Sequence, residues 1–212
     1  MKYVFFLVWF FASIVNAGDI AYQSGDLIFQ SSSSKQSYAI MWASKSLYSH
    51  VGIIEVDGDK IYVLEAISRV SRTPLNEWIA RGRFGRYSVF RYKNLDSDKR
   101  VEIVNNAKDL LGRRYDLYFT SKNKEIYCSE LVDIAFGKAG VSVGKKQKVK
   151  ELDINNLVVR KLVERRWRRH PVCKDVVKTF EECWRLMLED ELITPESLAE
   201  DVHLEKVWSN YP

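Results

Sequence analysis

A cysteine, a histidine and a glutamate in this chain are of the types that together activate a thiol as a nucleophile. Cys128 stands directly before a segment whose apolar residues, from Leu131 to Phe136, recur at helical spacing. The positive end of a helix stabilises a thiolate, and the amide N–H groups there, including that of the cysteine itself, can hold a developing oxyanion. Glu130 and Asp133 oppose the first effect because they add negative charge to the same turn.

His50 and Glu65 are predicted to form the base that such a thiol needs. They lie in two strand-like segments, Ser49–Val56 and Lys60–Ile67, separated by the turn sequence DGD. If the first two turn residues are central, His50 lies directly opposite Glu65, with Cβ atoms about 4.5–5.5 Å apart. If the last two are central, the two side chains are diagonal neighbours on the same face, whereas a three-residue loop would separate them. A carboxylate beside a histidine fixes the ring tautomer and stabilises the imidazolium.

The first residues of the chain predict export. Lys2 precedes an apolar run, Tyr3–Val15, and Val15 and Ala17 occupy the two small-residue positions of a cleavage site. The run is shorter than the roughly 20 apolar residues of a spanning helix. We interpret residues 1–17 as a cleaved secretory signal, with a retained anchor as the alternative, and predict a periplasmic or secreted protein.

The number of cysteines is odd, which leaves at least one free thiol in an oxidising compartment. The three are Cys128, Cys173 and Cys183. Asp175–Asp190 has a helical pattern, and ten residues of one helix span about 15 Å, beyond the roughly 7 Å limit for bridged Cα atoms. A disulfide between Cys173 and Cys183 is therefore expected only if the helix starts late or breaks.

Composition and charge limit the class of protein. The 212 residues are 46% hydrophobic and 29% charged, as in globular proteins, and the net charge is 33 − 28 = +5. This charge is too small to predict nucleic-acid binding, although it could favour an anionic membrane or wall surface. A zinc site of Cys128, His50 and Glu65 is chemically permissible, but no CxxC or HxxxH pair supports it, so we predict no metal and no cofactor.

The remaining patterns predict mixed helices and strands that surround these residues. The predicted elements are a strand at Gly25–Gln30, a helix from the Ser31–Ser34 run to about Ser46, a helix at Thr73–Ala80, a strand at Tyr87–Tyr92, and a helix from Asp96 or Ser97 to Gly112 with Val101, Val104, Ala107 and Leu111 on one face. Beyond Gly144 the chain is basic and mostly helical in pattern.

Five strings, in this order, resemble the YiiX-like permuted papain-like amidases, a circularly permuted branch of the NlpC-type cell-wall hydrolase superfamily. They are GDLIF at Gly25–Phe29, YSHVGI at Tyr48–Ile53, YVLEA at Tyr62–Ala66, LGRRYD at Leu111–Asp116 and YCSELV at Tyr127–Val132. The basic stretch Lys145–Asp153 and the tail around Thr194–Asp201 match the same pattern, whereas Cys173–Asp190 matches least.

The resemblance implies an α+β, circularly permuted papain-like fold in which an antiparallel sheet packs against helices and the histidine strand precedes the cysteine helix. It implies Cys128 as nucleophile, His50 as general base and acid, and Glu65 as the residue that orients His50. Tyr115, and with it Ser129, is assigned to substrate or oxyanion contact. We predict a catalytic domain at 18–169 and a helical extension at 170–212.

These inferences predict a secreted cysteine hydrolase that cleaves an amide or ester through an acyl-enzyme, acting on cell-wall peptide or a lipid-linked acyl group. A long apolar pocket leading to Cys128 would favour lipid, and an open polar cleft would favour peptide. An acyltransferase using the same thiol remains an alternative, because a related permuted group includes lecithin retinol acyltransferase-like enzymes. Two other classes stay open: a protein that binds lipid or a wall fragment, and an interaction protein that uses the basic helix Ile154–Arg169. The sequence predicts no oligomeric state.

Overall fold

The structure is a computed structural model that describes residues 20–120 and 123–212, so the predicted signal at 1–17 lies outside the described residues. The strands are β1 (Leu27–Ser32), β2 (His50–Asp57), β3 (Lys60–Ala66), β4 (Val70–Pro74), β5 (Gly82–Tyr92), β6 (Gln147–Lys148), β7 (Glu191–Leu192) and β8 (Leu204–Ser209). The helices are α1 (Lys35–Ser44), α2 (Leu75–Arg81), α3 (Ser97–Lys108), α4 (Cys128–Lys138), α5 (Leu157–Glu164), α6 (Phe180–Met187) and α7 (Pro195–Ala199), with 3-10 turns at Val149–Glu151 and Trp167–Arg169.

An antiparallel six-stranded sheet, ordered β4-β3-β2-β1-β5-β8, forms the centre of the fold. Alternate residues of its strands pack against α3 and α4 on one face. The other face packs against Trp78 of α2, which is fully buried. The predicted α+β class, with an antiparallel sheet packed against helices, is confirmed. No helix in the part of the chain that the structure describes is long and apolar enough to cross a membrane.

The turn between β2 and β3 selects the second of the two predicted registers. Asp57 pairs with Lys60, so Gly58 and Asp59 are the central turn residues, and Gly58 has a positive φ of 58°. His50 is therefore not directly opposite Glu65. The two side chains are diagonal neighbours on the face that carries α2.

The aspartate of the GDLIF string, Asp26, forms a buried ion pair. Asp26 is fully buried on entry to β1, and its two carboxylate oxygens accept hydrogen bonds of 2.9 and 2.7 Å from Nε and Nη2 of Arg91 on β5. The bidentate geometry ties the start of β1 to its neighbouring strand. Gly25, with a φ of 85°, provides the left-handed turn that brings the chain into this position.

Gly52 lies where β2 and β3 approach too closely for a side chain. A Cβ at this position would come within 2.3 Å of Cγ1 of Val63 and 3.0 Å of the carbonyl oxygen of Leu64. We expect Gly52→Ala to lower the free energy of unfolding by about 1–3 kcal/mol in urea titrations, because the buried strands must shift to accept the methyl group.

Gly137→Ala in α4 is the matched control for this substitution. An added Cβ at Gly137 meets no heavy atom within 4 Å, and alanine is the better helix former by about 1 kcal/mol. We expect this variant to be as stable as the parent or more so. Equal destabilisation by the two variants would contradict the packing argument.

The two distal cysteines form a disulfide, because the helix starts later than its pattern predicts. Cys173 is bonded to Cys183, with Cα atoms 5.2 Å apart. The predicted helix at Asp175–Asp190 is wrong at its start: α6 begins at Phe180, after a cap at Thr179, so Cys173 lies in the preceding turns. Cys128 is the free cysteine.

The C-terminal segment contributes a strand as well as helices. The prediction of a helical extension at 170–212 is incomplete, since β8 pairs with β5 and completes the central sheet. Ile193 and Leu198 are buried in the main core. The boundary predicted after residue 169 therefore crosses a structural unit.

Several of the other predicted elements have different bounds in the structure. Strand β5 begins at Gly82 and not at Tyr87, α3 ends at Lys108 before Gly112, and the predicted basic helix Ile154–Arg169 is α-helical only in α5. The predicted helix Thr73–Ala80 starts too early, because Thr73 and Pro74 close strand β4 and α2 begins at Leu75. In α3 the buried residues include Ile103, Val104 and Ala107, whereas Val101 is 55% exposed, so the buried stripe is rotated from the predicted one.

Candidate active site

The site is built on a buried carboxylate that holds a histidine ring. His50 is the first residue of β2, and its Nε2 lies 2.7 Å from Oε2 of Glu65 on β3. The other oxygen of Glu65 accepts a 2.6 Å hydrogen bond from Oγ1 of Thr73 and forms an ion pair with Arg81 at the end of α2. Glu65 is fully buried, so these partners replace the water that its charge would need.

The pKa values of the pair move apart. Burial alone would raise the pKa of Glu65, but hydrogen bonds from His50, Thr73 and Arg81 outweigh it and lower that pKa to about 2. Burial alone would lower the pKa of His50, but hydrogen bonds with Cys128 and Glu65 outweigh it and raise that pKa to about 9. At neutral pH the pair is therefore a carboxylate and an imidazolium.

Cys128 meets this imidazolium at the end of the sheet. It is the first residue of α4, its side chain is buried, and it lies within hydrogen-bonding reach of the His50 ring. Since Nε2 of that ring is bound to Glu65, Nδ1 is the nitrogen left for the sulfur. Trp78 stacks near the ring, with centroids 6.0 Å apart and planes 25° apart, which restricts its rotation.

The acidic first turn of α4 opposes a thiolate less than its sequence predicts. Burial, together with the nearby charges of Asp116 and Asp133, raises the pKa of Glu130 to about 7. Its Oε2 accepts a 3.3 Å hydrogen bond from the N–H of Tyr127. Glu130 therefore carries only part of a negative charge at neutral pH.

Tyr115 lies close to the thiol, whereas the hydroxyl of Ser129 is used elsewhere. Burial and the nearby charge of Cys128 raise the pKa of Tyr115 well above its usual value, so its phenol stays protonated and can donate. Nε2 of Gln36 donates to that hydroxyl at 3.4 Å. Ser129 donates its hydroxyl proton to the carbonyl oxygen of Ile193 at 2.8 Å, which fastens the start of α4 to the segment before α7.

Cys128 opens into an apolar cavity. The cavity has a volume of about 130 Å³, on a measure by which one water needs about 10–15 Å³. Apolar side chains from separate parts of the chain line it, among them Ala39, Ile154, Val159, Leu162, Met187 and Ile193. His170, which its basic sequence surroundings would place in solvent, is buried in the cavity wall, and burial lowers its pKa. The wall therefore carries a neutral imidazole at that point.

A polar cleft lies on the His50 side of the site. It has a volume of about 470 Å³. Its lining includes Gln30, Ser32, Ser37, Ser49, His50, Arg81, Tyr115 and Arg166. The thiol and its base therefore lie where an apolar cavity and a polar cleft approach one another.

Comparison with known proteins identifies the family of this chain. A family model of the permuted papain-like amidase enzymes (YaeF/YiiX, C92 family) matches residues 21–208. The chain belongs to this family. As a permuted papain-like amidase it is of the cysteine hydrolase type, and the predicted circularly permuted fold is confirmed.

Two relatives from this amidase family cover nearly the whole chain. The uncharacterized protein YiiX of Escherichia coli (strain K12) is 33% identical over 192 residues, which are 90% of this chain and 88% of that protein. A crystal structure of the metalloprotein YiiX from Escherichia coli O157:H7 superposes with a TM-score of 0.76 and 34% identity, covering 90% of this chain and 98% of that one.

Sequence reasoning missed the residues that support the pair. Thr73 lies on β4 two residues beyond Ser71, the register partner of Glu65, and so falls on the same face of the sheet. A correct assignment of β4 would have placed it there. Arg81 closes α2, and its position over Glu65 follows only from the packing of that helix on the sheet.

Proposed function

We propose that this chain is a cysteine acyl hydrolase that cleaves an ester or amide of an apolar acyl group through an acyl-enzyme on Cys128. The observation that carries the proposal is the apolar cavity that Cys128 helps to line. A chain of methylene groups gains about 0.8 kcal/mol for each group that it buries in such a cavity. A cell-wall peptide would instead need hydrogen-bond partners along its backbone, and the wall of this cavity has few polar groups.

The proposed reaction uses the thiolate and imidazolium in two halves. The sulfur of Cys128 attacks the carbonyl carbon, and the protonated ring of His50 then gives its proton to the leaving oxygen or nitrogen as the carbonyl reforms in a thioester. Water then attacks the thioester carbonyl while His50 takes a proton from that water. The tetrahedral intermediate collapses, releases the carboxylic acid and restores the thiolate of Cys128. Glu65 keeps the ring oriented throughout.

Transfer of the acyl group to an acceptor other than water is the second candidate. The polar cleft beside His50 supports it, because an alcohol or amine bound there would reach the thioester from the side of the base. The first half of the reaction is the same in both cases. Adding glycerol to the assay separates them, since transfer yields an acylglycerol and hydrolysis yields only the free acid.

Chain-length dependence tests the proposal directly. We expect kcat/KM for 4-nitrophenyl octanoate to exceed that for the acetate at least about fiftyfold, because three or more buried methylene groups contribute about 0.8 kcal/mol each. Leu162→Trp, which fills the cavity, should lower this ratio at least about tenfold. A ratio near one in the parent protein would contradict the proposal and favour a peptide substrate.

Leu157→Trp is the matched control for the cavity variant. Leu157 lies on the same helix, α5, but is 71% exposed and does not line the cavity. The ratio should stay at the parent value in this variant. An equal loss in both variants would mean that α5 tolerates no tryptophan, and not that the cavity holds the acyl chain.

Export to the periplasm or the medium is part of the proposal. The disulfide between Cys173 and Cys183 supports it, because such bonds persist in oxidising compartments. The excess of basic residues supports contact with an anionic membrane or wall surface.

The YiiX crystal structure is described as that of a metalloprotein. Within residues 20–120 and 123–212 no group of three or more His, Cys, Asp or Glu side chains could share one ion. The two oxygens of Glu65 are already in contact with protein groups, Oε2 with the ring of His50 and Oε1 with the hydroxyl of Thr73. The proposed mechanism uses the thiol of Cys128 and the imidazole of His50.

A further inference from the structure

Cationic side chains line the polar cleft. They are Arg81, Arg166 and His50, and no aspartate or glutamate of residues 20–120 and 123–212 lines the cleft with them. Glu65 lies buried behind His50, with its charge already paired to His50 and Arg81. A ligand in the cleft would therefore meet an excess of positive charge.

Arg166 lies at the junction of the cavity and the cleft. It lines both, as do Ile40 and Leu117. Its Nη1 donates to Oε1 of Gln36 at 3.2 Å and to the carbonyl oxygen of Leu117 at 3.3 Å, which hold the guanidinium in place. Among the described residues it forms no ion pair, in contrast to Arg72, Arg81 and Arg91.

This position determines what Arg166 would meet in a bound substrate. If the acyl chain of a substrate lies in the apolar cavity and its carbonyl group lies at Cys128, the alcohol part of the ester extends past the junction into the cleft. Two guanidinium groups then stand on that path. A phosphate monoester carries up to two negative charges and three terminal oxygens, so it can accept from Arg166 while it also gains from the positive potential of Arg81.

We propose that the cleft binds an anionic, phosphate-bearing headgroup attached to the acyl chain, with Arg166 donating to the phosphate and Arg81 adding positive potential. The inference rests on the proposed function, because it extends the same substrate from the cavity into the cleft. It narrows the substrate class to acyl esters of a phosphorylated alcohol.

Binding to an inactive protein tests the inference without relying on turnover. In Cys128→Ala we expect 1-octanoylglycerol 3-phosphate to bind at least about tenfold more tightly than neutral 1-octanoylglycerol, the gain of one charge-assisted hydrogen bond. Both probes are titrated calorimetrically below their micellar concentrations. Adding Arg166→Met should bring the ratio of the two dissociation constants close to one.

Arg169→Met is the matched control on the Cys128→Ala background. Arg169 is exposed, lies three residues further along and lines neither the cavity nor the cleft. The ratio should stay at its parent value in this variant. Equal affinity for the two probes in Cys128→Ala, or a ratio that survives Arg166→Met, would overturn the inference.

Two further measurements separate the sources of a positive result. Glycerol 3-phosphate should bind at least about tenfold more weakly than its octanoyl ester, and equal affinity would overturn the joint use of cavity and cleft. Hydrolysis of both octanoyl probes is followed separately in the parent protein. If the parent cleaves neither while the binding ratio holds, the proposed function fails and the phosphate-binding site stands.

Discussion

Alanine in place of Cys128 or of His50 is expected to lower kcat for the preferred acyl ester by a factor on the order of 10⁴–10⁶. Either variant removes one half of the thiolate–imidazolium pair, and the half that remains cannot form or resolve the thioester. The double variant should be no slower than the worse single variant, because residues that act as a unit do not add. The measurement is single-turnover hydrolysis of 4-nitrophenyl octanoate.

Alkylation of the free cysteine tests the same pair without a substrate. Since the pKa of His50 is raised to about 9, its ring stays protonated in the folded protein through neutral pH. We expect iodoacetamide to label Cys128 at nearly the same rate from pH 6 to pH 8. In His50→Ala the rate should instead climb steeply over that range, as for an ordinary thiol that titrates near about 8.5.

His203→Ala is the control for both measurements. His203 is exposed, stacks on Tyr92 and lies in the tail away from the thiol. Hydrolysis and alkylation should both keep their parent rates in this variant. Alkylation that is indifferent to His50 would exclude a resting thiolate–imidazolium pair and favour a binding protein that retains the fold.

The pairing of His50 with Glu65 on neighbouring strands was predictable from the sequence, because side chains alternate between the two faces of a strand with a period of two. That period placed His50 and Glu65 on one face for either two-residue turn. The exact register was not predictable, since the DGD sequence accommodates both turns and only the packing of β2 on β3 chooses between them. The choice did not affect the prediction of a pair.

Contacts between segments that are distant in the sequence could not be predicted from local patterns. The apolar cavity is assembled from α1, α5, α6 and the 3-10 turn at Val149–Glu151, and each of these has an ordinary amphipathic or mixed pattern when it is taken alone. The disulfide was not expected unless the helix started late, because residues 175–179 are helical in pattern but precede α6, which begins at Phe180. The spacing of apolar residues does not determine the first residue of a helix where tertiary packing shortens that helix.

Glu65→Gln is expected to lower kcat by a factor on the order of 10³–10⁴, because the ring of His50 loses its orienting charge and its preferred tautomer. The amide of glutamine has one accepting oxygen, whereas Glu65 accepts hydrogen bonds on both of its oxygens. The NH₂ group of the amide can only donate, so it cannot replace the second oxygen. With Thr73 and Arg81 on one oxygen and His50 on the other, one of these donors must face that NH₂ group.

The loss of stability caused by Glu65→Gln should depend on pH, because the charged pair that it removes stabilises the parent protein only within a range of pH. The pKa of Glu65 is lowered to about 2, so its contribution to folding is present above the ordinary value of 4.5 and is lost as the pH falls towards 2. The pKa of His50 is raised from 6.5 to about 9, so its contribution is present below 6.5 and is lost as the pH rises through 9. The pair therefore stabilises the fold most between about pH 4.5 and 6.5.

We expect Glu65→Gln to lower the free energy of unfolding by about 2–4 kcal/mol within that window, below the full cost of breaking a buried pair because Arg81 is partly exposed. The loss should shrink towards pH 2.5 and again towards pH 9.5, as urea titrations at the three pH values would measure. Glu205→Gln, at an exposed position of β8, should change stability by less than about 0.5 kcal/mol throughout. A loss in Glu65→Gln that is constant with pH would mean that Glu65 acts through packing and hydrogen-bond geometry, and the charged pair would not be the resting state of the site.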